Sequence, residues 1–179
     1  MNKIVSMMSA VLFAFGLFGC QQQEPKQQVT YTGAPMQAQI ASPVQIDSLQ
    51  QAAKAAPKNA QAWTRLGDAF MDSQRFGEAV EAYAKSLALE PKNVNVLVDQ
   101  GTCYRGIGKF DKAVEQYRKA LAIDPNFPNG HRNLAVVLSY DLNNKKEGLK
   151  EFEKYLAIVP NAPDAGQVRQ SMQELSKSR

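Results

Sequence analysis

The sequence predicts an all-α fold, a right-handed solenoid of stacked helix pairs, and two observations predict it. Prolines recur at nearly constant steps, since Pro57, Pro91 and Pro125 lie 34 residues apart and Pro160 follows after 35. Between successive prolines, apolar side chains stand at helical spacings. A proline ends a helix because it lacks the N–H and clashes with the preceding turn. Each step therefore holds one pair of helices, and stacked pairs share one continuous core.

The predicted elements follow in order from residue 46. The helix at 46–56 has a capping-box-like start at Asp47 and Gln50, and Pro57 ends it. Three full repeats come next: residues 60–93, 94–127 and 128–161. The last segment, 162–179, has apolar residues at spacings of three and four on one face only. It predicts a capping helix, because a stack of repeats otherwise ends in an exposed apolar surface.

Matching side chains recur in each repeat. In the first they are Trp63, Leu66, Gly67, Phe70, Phe76, Ala79, Tyr83, Leu87 and Pro91. In the second they are Leu97, Gly101, Tyr104, Gly108, Phe110, Ala113, Tyr117, Ala120, Leu121 and Pro125. In the third they are His131, Leu134, Ala135, Leu138, Gly148, Phe152, Leu156 and Pro160. This pattern and its 34-residue period resemble those of tetratricopeptide repeats (TPRs).

The third repeat departs from the other two. His131 stands where the first repeat has Trp63, and packing between helices is the expected role of this side chain. Ala135 and Gly148 exchange the positions of glycine and alanine where the two helices cross. The turn at 141–147 is expected to contain the one extra residue.

Resemblance to the TPR family implies a concave groove, lined by the first helix of each repeat, that receives a protein or peptide partner. The positions that would line it are Gln61, Thr64, Asp68, Met71, Asp72, Asn95, Val98, Thr102, Arg105, Asn129, Arg132, Asn133, Val136 and Tyr140. Some members of the family clamp a terminal carboxylate with Lys, Arg and Asn. Thr64 and Asp68 stand where Lys and Asn would be needed, so a clamp of that kind is disfavoured. The groove is expected to be acidic at its N-terminal side and basic further on.

Asp68 and Asp72 are four residues apart on one helix face and repel each other unless a cation lies nearby. Arg105, one repeat further on, is the expected cation. An acid–base network within the chain and a subsite for a basic group of a partner are both compatible with this pattern.

The N-terminus predicts export and an anchor. Lys3 precedes a short apolar run, and small Gly19 precedes Cys20, which is typical of a secretory signal at residues 1–19. Leu17 to Cys20 resembles the lipobox of bacterial lipoproteins, in which the cysteine is lipidated. An ordinary signal peptide with an incidental cysteine is the alternative. Gln21 is not the aspartate that retains many lipoproteins at the inner membrane, so the resemblance favours the outer membrane, with the protein facing the periplasm.

Residues 20–45 are expected to form a lipidated cysteine and a flexible tether. Seven glutamines between Gln21 and Gln39, together with three prolines, leave too little apolar surface to offset the entropy of ordering this segment. A short recognition segment is the alternative.

Composition restricts the chemistry. Removing the signal removes one of the 21 basic residues and leaves 20 against 17 acidic ones, a balance that does not predict nucleic-acid binding. If Cys20 is lipidated, Cys103 is the only thiol left and is expected to be buried. One histidine is too few for a zinc cluster, and a catalytic arrangement would have to use His131. We therefore predict no enzyme, no metal site and no cofactor.

The predicted function is a membrane-anchored adaptor that holds a partner protein in the bacterial envelope. The alternative is a non-catalytic accessory subunit of an envelope enzyme, secretion or pilus-assembly complex. The sequence does not identify the partner or the oligomeric state.

Overall fold

The computed structural model describes residues 43–177, and every regular element in that range is helical. The helices are α1 (Pro43–Ala55), α2 (Ala60–Asp72), α3 (Phe76–Leu89), α4 (Val94–Gly106), α5 (Phe110–Ile123), α6 (Pro128–Val136), α7 (Lys145–Ile158) and α8 (Ala165–Lys177). Each helix packs against the next, which confirms the predicted all-α solenoid. The predicted signal segment, Cys20 and the tether up to residue 42 lie outside the described residues.

The first helix begins earlier than the sequence predicted. α1 starts at Pro43, so residues 43–45 are helical and the tether does not extend to residue 45. Asp47 lies inside this helix and is not its cap. Asparagine caps do occur at α2 and α4, where the side chains of Asn59 and Asn93 accept hydrogen bonds from backbone N–H groups at 3.2 and 3.3 Å.

The close crossing within a repeat depends on a glycine facing a tyrosine. A Cβ atom on Gly67 would lie 2.5 Å from the ring of Tyr83, and one on Gly101 would lie 2.6 Å from the ring of Tyr117. Both rings are buried. The glycines are therefore needed because the tyrosines occupy the space of a side chain, as the repeat pattern predicted for these crossings.

The extra residue of the third repeat lies in a helix and not in the turn as predicted. α6 continues into a π-helical segment, Val137–Asp141, and the turn that follows has three residues, as in the other repeats. A π turn absorbs one added residue without changing the connection. A Cβ on Gly148 would lie 2.0 Å from Oγ of Ser139, so this glycine makes room for the altered helix, and the predicted exchange with Ala135 is confirmed.

The apolar side chains form three consecutive clusters along the stack. The thiol of Cys103 lies fully buried in the first, as predicted. The third cluster contains Val168 and Leu175 of α8, so this helix covers the C-terminal end. No helix within residues 43–177 has the length and apolar character needed to cross a bilayer.

Candidate functional site

The predicted binding residues lie on the first helices of the repeats, α2, α4 and α6 with its π-helical continuation, and we call this surface the first-helix face. The exposed members are Gln61, Asp72, Asn95, Asn129 and Tyr140. The half-buried members are Thr64, Asp68, Met71, Thr102, Arg105, Arg132, Asn133 and Val136. Val98 was predicted wrongly, because only 4% of it is exposed and it packs in the second core cluster. It has no surface to offer a partner.

Five predicted residues from α4 and α6 meet around one small cavity of about 80 Å³. Its lining consists of Thr102, Arg105, Arg132, Asn133, Val136 and the ring of Tyr117. The amide of Asn133 donates to Oγ1 of Thr102 at 3.3 Å, and the hydroxyls of Thr102 and Tyr117 are 3.2 Å apart. Polar side chains of two adjacent repeats are thus linked directly on this face.

The predicted pairing of Arg105 with Asp68 and Asp72 is wrong. Arg105 forms an ion pair with Asp141, with a second contact of 3.4 Å between Nη2 and Oδ1. Arg132 likewise pairs with Asp164, at 2.5 Å from Nε to Oδ2. Each arginine reaches a carboxylate that follows it in the stack, so both predicted cations of the face are neutralised. The expected basic half of the groove is therefore absent from the first-helix face.

The N-terminal half of this face carries carboxylates without a cation. The hydroxyl of Tyr83 donates to Oδ1 of Asp68 at 2.8 Å. Asp72 on the same helix and Asp99 on α4 complete the group, which we call the acidic trio. Among residues 43–177, no basic side-chain nitrogen lies within 4.0 Å of a carboxylate oxygen of the trio.

The trio perturbs its own ionisation. Burial, and after it the charges of Asp68 and Asp72, raise the pKa of Asp99 to about 6. The pKa of Asp68 is also raised, first by burial and then by Asp72, although the hydrogen bond from Tyr83 opposes this. Repulsion between the carboxylates is thus one cause of both shifts, after burial.

Asp99 was missed by the sequence analysis. It occupies the repeat position that Arg65 occupies in the first repeat, 34 residues earlier. This change from a basic to an acidic residue at one repeat position could have indicated that Asp99 belongs to the acidic group.

His131 and Cys103 are the two side chains in the described range with nucleophilic or acid–base potential that the sequence singled out. His131 is buried at the floor of a cavity of about 580 Å³ between α5 and α7, away from the first-helix face. Burial, and after it the charges of Asp99 and Asp68, raise the pKa of the Cys103 thiol to about 12, which keeps it protonated at neutral pH. No group of three or more potential ligands within residues 43–177 is arranged to hold a metal ion.

Comparison with protein families identifies two segments. Residues 46–94 match the model described as tetratricopeptide repeat, and residues 101–139 match the model described as TPR repeat. A comparison with curated proteins gave no match.

Solved structures with the same fold include TPR domains. A crystal structure of MamA superposes with a TM-score of 0.65 at 19% identity, covering 74% of this chain and 81% of that one. The TPR2B domain of yeast Sti1, in complex with pHsp70, has a TM-score of 0.63 at 19% identity, with coverages of 67% and 98%. The first TPR of Spaghetti (RPAP3), bound to the HSP90 peptide SRMEEVD, has a TM-score of 0.61 at 19% identity, with coverages of 66% and 91%. At these identities the likeness establishes the fold.

Proposed function

This chain carries tetratricopeptide repeats, and on that premise we propose that it is a non-catalytic adaptor whose first-helix face binds a protein or peptide partner. Two of its structural neighbours, Sti1 and RPAP3, are in complex with pHsp70 and with an HSP90 peptide. A solenoid suits this role because side chains on its concave face need not support the core.

The acidic trio is the observation that carries the proposal, and it specifies the partner's charge. Asp68, Asp72 and Asp99 repel one another, and this costs stability that a neutral side chain would not cost. A lysine or arginine of a bound segment would relieve the repulsion and gain charge-assisted hydrogen bonds. The peptide SRMEEVD of the RPAP3 complex ends in acidic residues, and the trio would repel such a sequence. The partner segment is therefore basic at the end that meets α2 and α4.

The N-terminal sequence supports an anchored adaptor. We propose that residues 1–19 are removed as a signal, that Cys20 is lipidated, and that the following glutamine-rich segment tethers the repeats to a membrane of the bacterial envelope, the outer membrane being favoured. Replacing Cys20 with serine is expected to abolish incorporation of labelled fatty acid and to release the protein from sedimented membranes. Retention of both would contradict the anchor without affecting the proposed binding face.

The binding face is tested by crosslinking the partner in intact cells and comparing two triple variants with equal changes of net charge. Replacing the trio by asparagine is expected to reduce capture at least tenfold. The control replaces three exposed acids on the second helices, Glu81, Asp111 and Glu153, by their amides. Equal capture by both variants would show that the trio does not contact the partner. Equal loss would show that binding depends only on total charge.

A further inference from the structure

Each ring nitrogen of His131 faces one oxygen atom. Nδ1 lies 2.6 Å from Oε2 of Glu151, and Nε2 lies 2.8 Å from the carbonyl oxygen of Pro125. The side chains of His131 and Glu151 are 7% and 9% exposed, so water cannot readily replace either contact. A carbonyl oxygen only accepts hydrogen bonds, and an ionised carboxylate also only accepts.

The ionisation of Glu151 decides which proton arrangement fits. Burial alone raises the pKa of this carboxyl, but hydrogen bonds from Lys154 and His131 outweigh it, and the net pKa lies below the ordinary value. Glu151 is therefore ionised at neutral pH. A neutral imidazole has a single N–H, so either tautomer would leave a ring lone pair facing an oxygen lone pair. We infer that His131 is held as an imidazolium that donates to both Glu151 and Pro125, and that the third repeat therefore depends on a bound proton.

Comparison with the first repeat separates the two hydrogen bonds of His131: the one to Pro125 has an equivalent there and the one to Glu151 has none. Trp63 occupies the same repeat position, and its Nε1 donates to the carbonyl oxygen of Pro57 at 3.0 Å, six residues back as in His131 and Pro125. Nε2 of His131 thus replaces the indole N–H. Ala82 stands at the first-repeat position of Glu151, so the second contact and its charge belong to the third repeat alone.

The cavity around His131 differs in the same way. At the equivalent place beside Trp63 the cavity is about 110 Å³, and Nζ of Lys85 lies 4.3 Å from the indole centroid. Beside His131 it is about 580 Å³. The imidazole ring of His131 is smaller than the indole ring of Trp63 and does not fill its cavity. In the first repeat the indole packs α2 against α3, whereas in the third repeat hydrogen bonds and charge hold α6 against α7.

The other charged groups that line this cavity are already paired. Nη2 of Arg118 on α5 lies 2.6 Å from Oε1 of Glu147 on α7, and Nζ of Lys154 lies 2.8 Å from Oε1 of Glu151. Lys154 is 56% exposed, so solvent screens its charge. The imidazolium is therefore the buried cationic partner of Glu151, and Lys154 is the exposed one.

The expected consequence is a stability that falls as the pH rises. If folding takes up one proton at His131, the stability of the folded chain falls as the pH rises and protons become scarcer. The ratio of folded to unfolded protein falls by up to tenfold per pH unit in the affected range. In a repeat array such a loss is local, and hydrogen exchange is expected to accelerate in α6 and α7 before α2 and α3.

Nitrogen-15 NMR of the full-length chain tests the proton directly, because the chain has one histidine and its signals need no assignment. Two ring N–H protons at pH 7 are expected, and one or none would overturn the proposal. The isosteric variant Glu151→Gln supplies the control, since a neutral amide can pair with a neutral ring. It is expected to show one ring N–H and a stability that depends less on pH than that of the natural chain. An unchanged profile would equally overturn the proposal, whether or not the variant is less stable overall.

Discussion

Replacing Asp99 with asparagine is expected to stabilise the protein at neutral pH. The pKa of Asp99 is raised from 3.8 to about 6, a difference of about 2 units, because of burial and the charges of Asp68 and Asp72. One pKa unit corresponds to about 1.4 kcal/mol, so ionisation of this carboxyl would lower the free energy of unfolding by about 3 kcal/mol if it were fully buried. Asp99 is partly exposed, and screening by solvent reduces the expected gain to about 1–2 kcal/mol.

The sign of the pH dependence makes this prediction specific. The folded-state pKa lies above the unfolded value, so the contribution of Asp99 is fully present below about pH 3.8 and is lost as the pH rises through about 6. The stability difference between Asp99→Asn and the natural chain should therefore be near zero at pH 4 and grow up to pH 7.

Urea unfolding at a series of pH values measures this difference. Asp111→Asn, an exposed substitution on α5, controls for the loss of one negative charge. A constant difference between pH 4 and 7, or the same profile for Asp111→Asn, would refute the proposed repulsion. Asp72→Asn is expected to recover part of the stabilisation, because it removes one of the two charges that act on Asp99.

Three further predictions concern the helices and are checked by chemical denaturation. Gly67→Ala should cost about 2 kcal/mol because its Cβ would meet a tyrosine ring, whereas Gly77→Ala, with nothing within 4 Å, should gain about 0.5–1 kcal/mol. Gln74→Gly should gain about 1 kcal/mol because this residue has φ of 58°. Ser139→Ala should gain about 1 kcal/mol, since its Oγ is buried without a partner among residues 43–177, whereas Ser86→Ala should lose about 1 kcal/mol with its hydrogen bond to a threonine. The packing described would be contradicted if Gly67→Ala were more stable than Gly77→Ala, or if Ser86→Ala were more stable than Ser139→Ala.

The fold was predictable because its determinants are local and repeated. A proline every 34 residues and a glycine at each crossing determine where helices end and how closely they approach. The exceptions were the start of α1 and the extra residue of the third repeat. A longer turn and a π-helical segment can each absorb one added residue. The contact that favours the π-helical segment joins Ser139 to Gly148 on another helix, and a local sequence pattern does not reveal it.

The polar contacts of the first-helix face were much less predictable. Repeat spacing places Arg105 near Asp68, but a long side chain can reach either neighbouring repeat, and Asp141 is at the end of an altered helix. His131 was correctly expected to pack between helices. Its partner Glu151 could not be recognised, because charged residues on second helices are usually exposed.

The two halves of the molecule therefore differ in what their charges do. In the C-terminal half, Arg105, Arg132 and His131 each have a carboxylate partner from a later element, so these charges join successive elements of the stack. In the N-terminal half the acidic trio has no cation within the described chain, and the repeat is held by apolar packing around Trp63 instead. The charges that hold the stack are already paired within the chain, whereas the carboxylates of the trio remain free to pair with a cation of a partner. On the proposed function, neutralising the acidic trio is expected to weaken partner binding while raising stability, whereas removing the paired charges of Arg105, Arg132 or His131 is expected to lower stability.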